Sequence, residues 1–290
     1  MGNRMLIYFQ MLIICFVFLI TVLFVLIGVF FPKNSNYVGA DGSKTIDIYG
    51  SQITYNYQDG NDPVIIMLHG FGEDLRIWNP ISTHLDNKIL AIDQVGYGRS
   101  ANPSIGYDIQ TMSDYLIEFM DITNTKQAIL MGHSMGASIA IWTASKHPDR
   151  ILALILFAPS GYPGSLTYPF PISLVYKPGV LNRITAKLAH SDLFGLVFPK
   201  SLARQVLDIT NSYDIRFKET LVNVNQPTLF LWSRGDKKVP IKYSKGYLDK
   251  MKNAMLVELP EKIGHPIPDV LSDETREEIK LFISSVSKTF

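Results

Sequence analysis

The chain has 290 residues, 47% of them hydrophobic, with 27 basic against 26 acidic side chains and a formal net charge of +1. That near-balance, with no basic run and no basic stripe interleaved with aromatics, excludes nucleic acid as a partner. The single cysteine, Cys15, lies near the N-terminus, so the chain beyond residue 32 has neither disulfides nor thiol chemistry and tolerates either redox compartment.

From Met5 to Phe31 no residue is charged, and Gln10 and Thr21 are the plainly polar ones. As a helix this run would reach about 40 Å, enough to cross a hydrocarbon core of about 30 Å with some tilt. It is longer than the apolar region of a signal peptide and ends Gly28-Val29-Phe30-Phe31-Pro32 without an Ala-x-Ala site. The expectation is an uncleaved single-pass anchor over residues 1–32, its membrane-embedded part being 5–31. Met1-Gly2-Asn3-Arg4-Met5-Leu6 lacks the hydroxyl residue that myristoylation needs. Arg4 on one flank, against Lys33, Asp41, Lys44 and Asp47 on the other, predicts a cytoplasmic N-terminus and an extracytoplasmic main domain. No Asn-x-Ser/Thr sequon with a non-proline middle residue supports a glycosylated secreted form.

Residues 33–43 read as a polar tether. Beyond them strand-like and helix-like stretches alternate, the mark of an α/β domain with a largely parallel sheet. Thr45–Tyr49 and Gln52–Tyr57, split by Gly50-Ser51, predict an opening hairpin. Val64–Leu68 is a bare apolar run, as expected of a strand covered on both faces. A helix at Ile77–Leu85, a strand at Lys88–Ile92 and a helix at Ile109–Ile122 follow. Further strands are predicted at Ile151–Ala158, Thr228–Trp232 and Met255–Leu259, with helices at Ile241–Met251 and Asp273–Ser287.

The chain is organised around Gly132-His133-Ser134-Met135-Gly136. An apolar strand precedes it, and the helical stretch Ala137–Lys146 follows. A serine pinched between strand and helix in a Gly-x-Ser-x-Gly frame is a nucleophile elbow. The glycines are needed because strand and helix approach too closely for a side chain. Ser134 also stands at a helix mouth, where backbone N–H groups face developing negative charge.

Residues 44–290 resemble the α/β-hydrolase family. The resemblance rests on this elbow, on His69-Gly70-Phe71-Gly72 directly after the strand Val64–Leu68, and on Asp93-Gln94-Val95-Gly96-Tyr97-Gly98-Arg99-Ser100. It implies a mostly parallel eight-stranded sheet flanked by helices, with a helical cap inserted after the sixth strand at about 160–226. It also implies a triad of Ser134 as nucleophile, Asp236 as acid and His265 as base, and an oxyanion hole formed by the N–H groups of Phe71 and Met135. Asp236 follows the strand Thr228–Trp232 in Gly235-Asp236-Lys237-Lys238-Val239-Pro240, departing from the family turn in its glycine spacing. The place after Ala158, where other members carry the acid, is Pro159-Ser160-Gly161 and holds no carboxylate. Among six histidines, His265 is the one that follows both the acid and the last strand. Asp93 is read as tying its loop together.

Such a site needs no metal or organic cofactor. Its partner would be a small-molecule ester or lipid, and an apolar cap on an anchored enzyme favours a lipophilic one. Tyr162, Tyr168, Phe170 and Phe194 in the cap either line the acyl pocket or pack the cap onto the body, and His133 is a substrate contact or a packing residue. Family members that carry aspartate at the elbow (haloalkane dehalogenases, epoxide hydrolases) or cysteine (dienelactone hydrolases) are distinguished by Ser134. Gly-His-Ser-Met-Gly is most like esterases and monoacylglycerol-type lipases. Carbon–carbon bond hydrolysis, perhydrolysis and acyl transfer use the same triad and stay open. So does a membrane-tethered binding protein without turnover.

Overall fold

Runs such as Ile65-Ile66-Met67-Leu68 and Leu154-Leu156 leave no polar face, so their strands must be covered on both sides. The computed structural model, which describes residues 42–166, 200–265 and 271–288, meets that demand with an eight-stranded sheet in the order β1-β2-β4-β3-β5-β6-β7-β8. The strands are β1 (Lys44–Ile48), β2 (Ser51–Gln58), β3 (Asn61–Leu68), β4 (Asn87–Ile92), β5 (Ala128–His133), β6 (Ile151–Phe157), β7 (Thr228–Ser233) and β8 (Ala254–Leu259). β1 pairs β2, and β2 pairs β4, antiparallel; every pairing from β4 through β3 to β8 is parallel.

Successive residues of a strand point to opposite faces, and the core divides accordingly. Ile66, Leu68, Leu130, Leu154, Leu156, Phe230 and Trp232 join one apolar cluster, which includes residues of helices α2 (Ile109–Ile122) and α3 (Met135–Lys146). Their neighbours Ile65, Met67, Ile129, Met131, Ile155, Leu229 and Leu231 join a second cluster on the other face, with Leu75, Trp78 and α7 (Asp273–Ser287). α2 begins where the sequence predicts because Asp108 caps it, accepting from the N–H groups of Gln110 and Thr111.

Two predicted helices are shorter than their patterns. Ile77–Leu85 resolves into a 3₁₀ turn at Leu75–Trp78, capped by Asp74, and a four-residue helix α1 (Asn79–Ser82). Pro80 sits in the first turn of α1, where its missing N–H costs nothing. Ile241–Met251 becomes a 3₁₀ turn at Ile241–Tyr243 followed by α6 (Ser244–Leu248), which contains Gly246. Between β6 and β7 the described part of the expected cap contains α4 (Lys200–Ser212) and α5 (Ile215–Thr220).

The expectation of a single-pass membrane protein with an extracytoplasmic domain is corrected. Among the described residues no helix is long and apolar enough to cross a membrane. The longest apolar stretches found there, in β3, β5, β6, β7 and α3, pack into the two-sided core. The run 5–31 that carried the expectation lies outside the described residues.

Candidate active site

β5 runs down the middle of the sheet and ends at His133; α3 starts at Met135. Ser134, between them, has φ 51° and ψ −106°, the left-handed region that a non-glycine residue enters at a cost of about 1–3 kcal/mol. The backbone around it holds it there. The Ser134 N–H donates to the Phe157 carbonyl at 2.8 Å, and its carbonyl accepts from the N–H groups of Ser138 and Ser160, both at 3.2 Å. The Ser138 hydroxyl donates to the same carbonyl at 3.1 Å.

The elbow glycines are there because nothing larger fits. A Cβ on Gly136 would lie 2.1 Å from the Leu68 carbonyl oxygen, and one on Gly132 would lie 2.6 Å from the Ala137 backbone. Both obstructions are main chain and cannot swing aside. Gly136→Ala is therefore expected to destabilise the fold by about 3 kcal/mol or more, seen as a Tm lower by about 6–12 °C. An unchanged thermal melt would contradict this packing.

Asp236 follows β7 in a loop fixed from several sides. Its Oδ1 accepts from the N–H groups of Lys238 (2.9 Å) and Val239 (2.8 Å), and the Trp232 indole N–H donates to the Val239 carbonyl. Its carboxylate is fully buried, so it is not a surface partner for the neighbouring lysines, and Oδ2 lies 2.6 Å from Nδ1 of His265. His265 follows the 3₁₀ turn Glu261–Ile263 and Gly264, whose φ of 68° suits glycine. Burial draws the His265 pKa below its ordinary value. The hydrogen bond and charge of Asp236 oppose that, while His133 and Lys238 add to it.

The loop after β3 is equally tied. The Glu73 N–H donates to the Gly70 carbonyl, and Glu73 Oε2 accepts from the Gly70 N–H at 2.7 Å, closing a turn around Phe71 and Gly72. His69 Nδ1 donates to the Gly70 carbonyl at 2.7 Å, and its Nε2 accepts from the Gln94 N–H at 3.0 Å. Asp93 is buried and does the structural task expected of it. Its two oxygens accept from the N–H groups of Leu75 (2.8 Å) and Arg99 (2.9 Å), joining two loops.

The same Glu73 oxygen lies 2.7 Å from Nδ1 of His133, which is 1% exposed. The His133 ring in turn packs on that of His265, with centroids 4.7 Å apart. Burial acts to raise the Glu73 pKa, but the imidazoles of His133 and His69 and the Gly70 N–H outweigh it and hold the carboxyl at about 2. A folded-state pKa below the ordinary 4.5 gives stability that is complete above that value and is lost as pH falls from 4.5 towards 2. The contribution is on the order of 3 kcal/mol. In denaturant unfolding, the stability gap between the wild type and Glu73→Gln should narrow between pH 5.5 and pH 3; a gap of constant size would contradict it.

A family model described as the alpha/beta hydrolase fold matches residues 63–194. Est816, a solved structure described as an N-acyl homoserine lactone degrading enzyme, matches with a TM-score of 0.66 at 20% identity, over 82% of this chain and 100% of that one. The chain is an α/β-hydrolase-fold protein. It is similar to the uncharacterized hydrolase YugF of Bacillus subtilis, at 25% identity over 82% of this chain and 96% of that one. It is 30% identical to a haloalkane dehalogenase of Agrobacterium fabrum, over 44% of this chain and 43% of that one. The chain spans less than half the length of the curated relatives it matches at 30% and 31% identity.

Within this α/β-hydrolase fold, Asp236 and His265 come together from 29 residues apart. His265 lies against His133, the residue before Ser134, and Met135 opens α3. Phe71 sits at the tip of the loop closed by Gly70 and Glu73, its ring 5.8 Å from that of Tyr97. Of the residues expected to contact substrate, His133 is buried between Glu73 and His265. Tyr162 packs on Tyr247 (5.4 Å) and Tyr243 (6.1 Å), with the Lys218 ammonium 5.5 Å from its ring. Tyr168, Phe170 and Phe194 lie outside the described residues. Glu73 had no expected role, because its partner His133 is 60 residues away in sequence and no spacing pattern links them.

Proposed function

We propose that the chain is a serine hydrolase that cleaves a carboxylic ester through an acyl-enzyme on Ser134. The observation that carries the reading is the 2.6 Å contact between the buried Asp236 carboxylate and His265 Nδ1, beside an elbow that holds Ser134 in a strained conformation.

In this reading Asp236 stays ionised and accepts from Nδ1–H, which leaves Nε2 of His265 as the unprotonated nitrogen that takes the Ser134 proton. The low pKa of the buried imidazole keeps it neutral, and so competent as a base, at pH 7. Ser134 Oγ attacks the acyl carbonyl, and the N–H groups of Phe71 and Met135 receive the oxyanion. Two preorganised donors suit this task because each is worth about 3 kcal/mol of barrier. His265 then returns the proton to the departing alkoxide. Water, deprotonated by the same imidazole, hydrolyses the acyl-enzyme and restores the serine.

The acyl group would lie under the segment between β6 and β7, where Tyr162 begins the stretch expected to shape the pocket. Turnover of p-nitrophenyl esters of increasing acyl length tests the reaction class. Hydrolysis with an optimum chain length supports an esterase with a bounded pocket. If Ser134 reacts with a fluorophosphonate while every ester is left intact, the ester assignment fails and the nucleophile assignment stands.

A further inference from the structure

Glu73 and His133 lie outside the triad, yet they are built like its acid–base half. A carboxylate oxygen of the partly buried Glu73 stands 2.7 Å from an imidazole Nδ1, as Asp236 stands 2.6 Å from His265. The two imidazoles then pack on each other at 4.7 Å. One oxygen, Glu73 Oε2, accepts from both the Gly70 N–H of the loop before Phe71 and the ring of the residue before Ser134. The close packing leaves no slack: a Cβ on Gly70 would lie 2.6 Å from that oxygen and 2.9 Å from His133 Nδ1. With its Nδ1 proton given to Glu73, His133 has an Nε2 that is buried and without a hydrogen-bond partner among the described residues.

Resting on the serine-hydrolase reading above, we propose that Glu73 and His133 form a positioning pair that locks the His265 ring in place and fastens it to the loop carrying Phe71. Glu73 fixes the loop that presents the oxyanion donor. His133 supplies the wall on which the base packs, and Glu73 fixes the orientation of that wall. Nucleophile, base and oxyanion loop are thereby referred to one carboxylate, so a displacement of any one is felt by the others.

The charged and titratable groups facing His265 are Asp236, His133 and Lys238; those facing the pair are His265 and His69. Of these, His133 disfavours a proton on His265, because two adjacent imidazoles do not both carry charge cheaply. Removing the His133 ring therefore moves the protonation of the base, and with it the acid limb of the rate profile, to higher pH. Opening the wall also relieves the burial that lowers this pKa, so both effects move the limb the same way, and the loss of kcat in Glu73→Gln is what separates positioning from space-filling.

The test uses the full chain with p-nitrophenyl butyrate as substrate, and a fluorophosphonate to count reactive Ser134. His133→Asn keeps a donor for Glu73 while deleting the ring; Glu73→Gln keeps the shape while deleting the charge. Both are expected to lower kcat by about tenfold or more with little change in KM, because misplaced reacting groups cost transition-state stabilisation and leave binding intact. His133→Asn is also expected to shift the acid limb of kcat/KM upward. Thermal melts identify a variant that fails to fold, and the other variant then decides. Wild-type kcat and an unmoved limb in a folded His133→Asn, or wild-type kcat in a folded Glu73→Gln, overturns the proposal while labelled Ser134 keeps the triad reading intact. Failure of wild-type Ser134 to react with the fluorophosphonate removes the triad reading, and the positioning pair with it.

Discussion

Ser134→Ala and His265→Ala are each expected to lower kcat for a p-nitrophenyl ester by on the order of 10⁶-fold, with the double variant no worse than either alone. The reason is that the two side chains act as one unit. A serine hydroxyl is a weak nucleophile until a base takes its proton, and a base with no nucleophile to activate contributes nothing. Neither change should unfold the chain. Ser134 is held by backbone hydrogen bonds to Phe157, Ser138 and Ser160 that do not involve its side chain, and alanine also relieves nothing that the fold depends on. His265 follows a short 3₁₀ turn and is not a member of either apolar cluster; its ring packs on that of His133. Steady-state kinetics on the singles and the double, beside their melting temperatures, checks this. Additive losses would mean that the two residues act independently, contrary to the proposed mechanism.

The second large effect is expected at Asp236. Asp236→Asn should lower kcat by on the order of 10⁴-fold while leaving the fold in place. Asparagine keeps the size of the side chain, and its carbonyl oxygen still accepts from the N–H groups of Lys238 and Val239, which hold the loop. Its amide nitrogen then faces His265 Nδ1, the position of Oδ2 in the wild type. An amide donates there, so the imidazole must accept, and the Nδ1 lone pair is used up where Nε2 needs one. The proton sits on the wrong nitrogen. The loss is one of tautomer rather than of geometry, so KM should move far less than kcat. A variant with wild-type kcat would show that Asp236 does no more than close its own loop.

Much of this arrangement is legible in the sequence because it is local. Gly132 to Gly136 carries its own explanation: strand, strained serine and helix follow one another, and each glycine answers a main-chain atom nearby in space. The bare apolar strands announce a sheet covered on both faces, and α2 begins at its aspartate cap. What local pattern misses are the places where a long-range contact decides. Ile77–Leu85 has helical periodicity, yet Asp74 and Asp93 pin its start by hydrogen bonds and little more than a turn survives. His133 reads equally as a packing residue or a substrate contact until Glu73 is found beside it. Nothing in His-Gly-Phe-Gly-Glu marks that glutamate, since the contact giving it meaning spans 60 residues. The apolar run at 5–31, on whose length and hydropathy the membrane expectation rested, lies outside the described residues, and among those no helix is long and apolar enough to cross a membrane.

The most direct test of the central claim is covalent. The full chain is treated with a fluorophosphonate at pH 7, digested, and the modified peptide located by mass spectrometry. A single adduct on Ser134, formed with loss of ester turnover and slowed by orders of magnitude in His265→Ala, is the result predicted. Turnover that persists after full labelling of Ser134, or an adduct confined to another residue, would contradict it.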